Sequence, residues 1–320
     1  MQIDEAIGQF LTGYFSTCCR SAKTQTAYKI DLAQFQQQFA TTGSLQSIEP
    51  DALERWAKEL RSQEYAPASI RRKFATLRVF FSYCVRKRIL ESSPLWRIRL
   101  DLEREVRLPR NLSAADAKRL LDQAWAGVRI SGQPTTDSIN GQFLAFRNLT
   151  IIELFFATGM RVGELVALSL PDWREDDVSF LVKGKGSRQR LAMLPDERSA
   201  SVIKKYLANR SSLALSHDAF VVNARGNRLS TQGVARMLAQ TAEKAGITTR
   251  VTPHMLRHTV GTLLLTHGAD IRVVQEVLGH ASITMTERYT HVSKEHLRKT
   301  LRACHPNHYL AITCNAANAA

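Results

Sequence analysis

Four short segments of the chain concentrate side chains able to handle a phosphate group. They are ATGMRVGEL at 157–165, GKGSRQR at 184–190, HMLRHTVG at 254–261 and LGHASITMTERYTHV at 278–292. The residues of interest in them are Arg161 with Glu164 three positions on, Lys185 between two glycines, His254 with Arg257 three positions on, His280 and Tyr289. Each also has an ordinary use. Arg161 and Glu164 at i, i+3 fit a surface ion pair worth a few tenths of a kcal/mol. Lys185 fits a solvated turn residue, with Lys183 as a neighbouring competitor for any role. His254 and His258 at i, i+4 are spaced for a zinc site, but the metalloprotease pattern needs Glu after the first histidine, and Met255 stands there. His258 fits better as a core or supporting residue. His280 follows a glycine suited to a helix C-cap, and Tyr289 fits a packed aromatic. It is the joint occurrence of all these residues, in this order, that argues for chemistry.

In that order and spacing the four segments resemble the tyrosine recombinases, or phage-type integrases, and the Xer-like branch most closely. The resemblance covers nearly the whole chain, including HPNH at 305–308. It implies a mainly α fold: a helical, SAM-like core-binding domain, then a mixed α/β catalytic domain with a small three-stranded antiparallel sheet, the DNA breaking-rejoining enzyme fold. It implies a role for each motif residue. Arg161 is the first catalytic arginine, with Glu164 supporting it. Lys185 is a mobile catalytic lysine in a hairpin turn. His254 and Arg257 form the H-x-x-R pair, His280 stands at the last His/Trp position, and Tyr289 is the nucleophile.

The chemistry of such a set follows from the side chains. Cleaving a phosphodiester develops charge on the non-bridging oxygens, and two arginine forks can clamp one phosphate and stabilise that charge. A tyrosine hydroxyl has an ordinary pKa near 10 and must lose a proton as it attacks, and a nearby histidine can take it. Lys185 is suited to protonating the leaving 5′-oxygen, and His280 to donating a hydrogen bond to the phosphate. The product is a 3′-phosphotyrosine linkage with a free 5′-hydroxyl. Because that linkage keeps the bond energy, no ATP is expected, and with arginines supplying positive charge no metal or other cofactor is expected. The implied partner is double-stranded DNA carrying a specific recombination site, gripped by a C-shaped clamp and bound as a tetramer on two paired sites. A type IB topoisomerase and a catalytically silent DNA-binding accessory protein are the alternatives. The helical first third and the Xer-like ending argue against the former, and the complete set of catalytic positions against the latter.

The elements that must carry these residues are mostly helices. Tyr28, Leu32, Phe35 and Phe39 fall on one helical face, residues 51–64 form a short helix, and Pro67 opens a helix whose apolar stripe is Ile70, Phe74, Leu77, Phe81 and Cys84. Residues 1–95 then form one domain and 96–111 a linker. Residues 112–308 form the catalytic domain, opening on a capping pattern at Ser113 and Asp116, and 309–320 form a tail. The polar loop 131–141 reads as a surface insertion. Apolar runs at 178–182 and 190–194 predict a hairpin around KGKGSRQ, with Phe220, Val221 and Val222 as the third strand. Helices are predicted over 231–245, 254–266, 271–278 and 283–302, with Gly268 and Gly279 as C-caps and Asp270 as an N-cap.

The 320 residues carry a net charge of +15, a balance that suits a polyanionic partner. Charge is segregated: residues 1–60 hold five Lys and Arg against seven Asp and Glu, whereas residues 61–100 hold ten against two. Arg71, Arg72, Lys73 and Arg78 are therefore expected to form a phosphate-contacting face, with Arg86, Lys87 and Arg88 beside them. The five cysteines include no CxxC pair, so neither a disulfide framework nor a zinc cluster is expected, and a reducing cytoplasm fits best; the resemblance to recombinases implies association with the nucleoid there. The N-terminus lacks the pattern of a secretory signal. No apolar run is long enough to span a membrane.

Overall fold

The computed structural model describes residues 1–18, 22–98, 100, 111–131, 141–184, 189–213, 215–279 and 294–304. The chain falls into two compact units, Met1–Arg107 and Leu108–Ala320.

Among the described residues the first unit contains four α-helices: α1 (Ile3–Thr17), α2 (Ala22–Gln38), α3 (Pro50–Ser62) and α4 (Pro67–Arg86). Prolines open α3 and α4 at the first helical position, where the missing N–H costs nothing. The stripe predicted for α4 is buried throughout, and Phe80, outside that stripe, is buried with it; rings pack edge-on, Phe81 against Phe35 at 5.8 Å and Phe80 against Phe10 at 5.5 Å between centroids. Cys84 lies in the same core, where burial pushes its thiol up to about 12. Gly13 leaves room on α1 for the Tyr83 hydroxyl, whose oxygen would lie 2.6 Å from a Cβ there and would have to shift.

One expectation for this unit is corrected. Lys73 is buried and does not join a surface of free cations. It donates to Gln34 and, at 3.5 Å, to Asp31, whose side chain is fully buried. Asp31 also accepts from Arg72 at 2.7 Å and from the Thr76 hydroxyl at 3.0 Å. This network ties α2 to α4. Spacing puts Lys73 on the inward side of the helix, i+3 from Ile70 and i−4 from Leu77, but it could not show the partners that α2 supplies. Arg72 and Arg78 are exposed, Arg71 half-buried.

The second unit is built around α6 (Gly141–Thr158), whose buried residues run almost unbroken from Phe146 to Thr158. A helix apolar on all sides belongs in a core. It is covered by α5 (Ala114–Ser131) and α8 (Glu197–Ser211). The Ser113 hydroxyl accepts from the Asp116 N–H at 3.0 Å and so caps α5. After α6 come α7 (Val162–Ala167) and a three-stranded antiparallel sheet, β1 (Trp173–Arg174), β2 (Ser179–Lys183) and β3 (Gln189–Met193), in the order β1-β2-β3. Strands β2 and β3 bracket the expected hairpin turn, whose residues 185–188 lie outside the described residues.

The third strand is not the one expected. Residues 220–222 are fully buried but make only isolated pairings, with Phe220 N–H donating to Leu168 at 2.9 Å and Leu229 N–H to Val221 at 3.0 Å. An apolar run buried on every side lacks the alternation of a sheet edge, whereas the two-residue β1 was too short to show a period. Helices α9 (Thr231–Lys244), α10 (Pro253–Thr266), α11 (Ile271–Leu278) and α12 (Lys294–Cys304) complete the unit. Asp270 caps α11, and Gly279 ends it in the left-handed conformation at φ +62°. The part of the helix predicted at 283–302 that precedes residue 294 lies outside the described residues, as do 132–140 and 305–320. Among the described residues no helix is long and apolar enough to cross a membrane.

Removing Asp31 should leave the Lys73 ammonium buried without its counter-charge. Asp31→Ala is expected to destabilise the protein by about 3 kcal/mol or more in chemical denaturation, and adding Lys73→Met should recover much of that. An Asp31→Ala protein that unfolds at the wild-type midpoint would remove the network as a source of stability.

Candidate phosphate-binding site

The site gathers at the C-terminal end of α11. Helix α6 stops at Gly159, whose φ of +57° turns the chain toward Arg161. Arg161 is the N-cap residue of α7, and Glu164 stands at its third position. The Glu164 carboxylate accepts from the Arg161 backbone N–H at 2.9 Å and from Arg161 Nη1 at 2.8 Å. Here the i, i+3 pair is more than a surface bridge, because Glu164 is buried and one carboxylate both caps the helix and aims the arginine. The other edge of the guanidinium reaches the Gly279 carbonyl, with Nη2 at 3.3 Å. Even so, the Arg161 side chain is 47% exposed, so donors remain open to solvent.

Arg257 arrives from α10. Thr252 caps this helix by accepting from the Met255 N–H at 3.2 Å, and Pro253 opens it. One turn in, Arg257 is buried and donates to the Gly159 carbonyl at 2.8 Å and to the Leu278 carbonyl. Both acceptors lie at helix C-terminal ends, where carbonyls lack partners and carry partial negative charge. Burial first, and then the charge of Arg161, pull the guanidinium down to about 10, so it is still protonated at neutral pH. Close approach of α6, α10 and α11 depends on two glycines. A Cβ at Gly159 would come within 2.5 Å of Leu278 Cδ2, and one at Gly261 within 3.1 Å of Leu278 Cδ1.

His254 is exposed near the start of α10. Its ring stacks on that of His258, with centroids 4.8 Å apart and planes 6° from parallel. Burial, then the charges of His254 and Arg257, lower the His258 pKa and favour its neutral form. Among the described residues no group of three His, Cys, Asp or Glu could hold a metal ion.

The structure thus brings Arg161, Glu164 and Arg257 together. Lys185, His280 and Tyr289 lie outside the described residues. A third arginine, Arg190 on β3, was not singled out from the sequence. Its Nη2 donates to Glu164 at 2.9 Å, and its Nε lies where a Cβ on Gly279 would come within 2.4 Å. Burial lowers its pKa, an effect Glu164 opposes and Arg161 adds to. The available signal was strand alternation: Arg190 pairs with buried Val182 and shares a face with buried Ala192.

Residues 133–296 match the Phage integrase family, and residues 7–88 match the N-terminal SAM-like domain of phage integrases. The chain belongs to the phage integrase family. It is a tyrosine recombinase. Tyrosine recombinase XerC of Listeria monocytogenes serotype 4a (strain HCC23) is 31% identical over 93% of this chain and 96% of its own length. Tyrosine recombinase XerD of Halalkalibacterium halodurans is 33% identical over 89% of this chain and 92% of its own. In fold the chain is similar to the XerH site-specific recombinase bound to difH substrate, with a TM-score of 0.66 and 23% identity over 93% of this chain and 84% of that one. It is similar too to a lambda integrase tetramer bound to a Holliday junction, with a TM-score of 0.66 and 18% identity over 91% of this chain and 80% of that one.

The recombinase has two left-handed glycines that separate backbone strain from contact. Gly279 faces Arg190, whereas Gly268, at φ +87°, faces open space. Gly268→Ala is expected to cost about 1–2 kcal/mol for the left-handed backbone alone, and Gly279→Ala clearly more. Equal losses in thermal unfolding would mean that the Arg190 contact carries no weight.

Proposed function

We propose that this recombinase cuts and rejoins DNA at specific sites through a covalent bond between Tyr289 and a backbone phosphate. One observation carries the reading. Arg161 and Arg257, far apart in sequence, converge on the carbonyls of Gly279 and Leu278, the last described residues before His280 and Tyr289. Two guanidinium forks held beside one chain segment suit a phosphate whose non-bridging oxygens gain charge in the transition state. In this reading Arg161 and Arg257 clamp the phosphate and Glu164 supports Arg161. His254 takes or steers the phenolic proton, and its exposure suits that task. Lys185 protonates the leaving 5′-oxygen, and His280 donates to the phosphate. The 3′-phosphotyrosine product conserves the bond energy, so a second strand's 5′-hydroxyl reverses the step without ATP.

The first unit, residues 1–95 in functional terms, serves as the core-binding domain, and residues 112–308 serve as the catalytic domain. The partner is duplex DNA, and the assembly a tetramer on two paired sites, as the similarity to DNA-bound recombinases suggests. Arg71, Arg72 and Arg78 supply phosphate contacts from α4, with Lys73 withdrawn from that set by its burial. Such work belongs in the cytoplasm, on the nucleoid.

The test is a pool of duplexes with a randomised core and a central nick, from which covalent protein–DNA adducts are isolated under denaturing conditions. The wild-type protein should form an adduct that maps to Tyr289, and Tyr289→Phe should form none. Arg161→Ala should lose cleavage by a factor of about 100 or more while still shifting DNA in gels. An adduct retained by Tyr289→Phe would refute the assignment. No adduct from the wild type would favour the silent DNA-binding reading, and relaxation of any supercoiled plasmid would favour the topoisomerase reading. Arg71→Gln with Arg78→Gln should weaken binding and flatten its dependence on salt; an unchanged slope would exclude that surface.

A further inference from the structure

The polar cluster around Glu164 contains a side chain for which the reading above has no task. Arg190 donates from Nη2 to Glu164 Oε2 at 2.9 Å, and that same oxygen accepts the Arg161 backbone N–H at 2.9 Å. The other carboxylate oxygen takes Arg161 Nη1 at 2.8 Å. Glu164 is thus pinned from two sides, and among the described residues Arg190 supplies the one side-chain hydrogen bond to it that does not come from Arg161. The Arg190 fork lies against Gly279, whose missing Cβ leaves room for Nε and Cδ. Arg190 therefore packs on the residue whose carbonyl Arg161 engages. Its Nη1 is buried and has no hydrogen-bond partner among the described residues. Arg190 also lies beside two further arginines, whose charges oppose its own.

We propose that Arg190 is a positioning residue of the recombinase site. It holds Glu164, and through Glu164 the Arg161 fork, in the orientation that receives the phosphate. Lysine at this position would keep the charge but lose the fork, since a point donor cannot pair with Glu164 and lie flat on Gly279 together. The proposal rests on the recombinase reading above.

The experiment compares full-length wild type with Arg190→Lys, Arg190→Gln, Glu164→Gln and the Arg190→Gln/Glu164→Gln double variant. The rate of adduct formation on the nicked duplex pool is followed, with gel shifts and thermal unfolding alongside. Arg190→Gln should slow the adduct on the order of 10- to 100-fold with DNA binding kept. Arg190→Lys, which keeps the charge but not the fork, should recover only part of that rate. The double variant should be no slower than the slower single, as expected of two residues acting as one unit. A wild-type rate for Arg190→Gln would overturn the proposal. So would a loss that only tracks unfolding, or losses that multiply in the double variant. Absence of an adduct from the wild type would overturn the recombinase reading and this proposal with it, and that result is visible before any variant is made.

Discussion

A single buried carboxylate decides what the arginines of this protein can do. Guanidinium groups repel one another, and in a partly dry site that repulsion is poorly screened. Arg161, Arg190 and Arg257 are nevertheless drawn together; burial first, and then the neighbouring arginine charge, lowers the pKa of the two that are more buried. Glu164 compensates Arg161 and Arg190 directly, at 2.8 and 2.9 Å. Arg257 is compensated by carbonyls at the ends of α6 and α11. Dipolar carbonyls offset charge without cancelling it. The cluster therefore stays net positive, and Arg161 keeps donors open to solvent. This is the electrostatic condition for holding a phosphate and stabilising further negative charge on it.

The scaffold serves that condition through close approach of helix ends. Helix α6 is buried on all sides and cannot shift without disturbing the core. Its terminal Gly159, and Gly261 on α10, leave room for Leu278 to press between them, and the ends of α6 and α11 both come within reach of Arg257. A Cβ at Gly159 would force Leu278 to shift and would also have to hold a left-handed backbone, whereas one at Gly261 asks Leu278 to give by only a few tenths of an ångström. The first unit uses charge differently. Asp31, buried on α2, takes donors from Arg72, Lys73 and Thr76, all on α4. Part of the positive charge that looked available for a nucleic acid is thus spent internally as a strut between helices.

Much of the architecture was legible beforehand. The stripe on α4, the prolines opening helices, the Ser113 cap, the β2–β3 hairpin and the left-handed Gly279 are all set by local preferences. Each expresses a period, a fixed φ or a missing side chain within a few residues. The misreadings have a common physical source. Residues 220–222 looked like a strand because they are apolar, yet their neighbours come from α8 and the loop before the sheet, and Tyr206 takes up the Phe220 carbonyl at 2.8 Å. Lys73 looked solvated because it is a lysine, yet its partner is 42 residues away.

The sequence by itself determined the residue types able to do phosphate chemistry, their order, and the elements that carry them, because covalent spacing and side-chain chemistry are local properties. Only the tertiary structure decided which cations are free and which are already paired. It withdrew Lys73, gave Glu164 two arginines in place of one, and revealed Arg190. Burial and counter-charge are set by atoms that folding brings together from distant parts of the chain, and no local pattern encodes them.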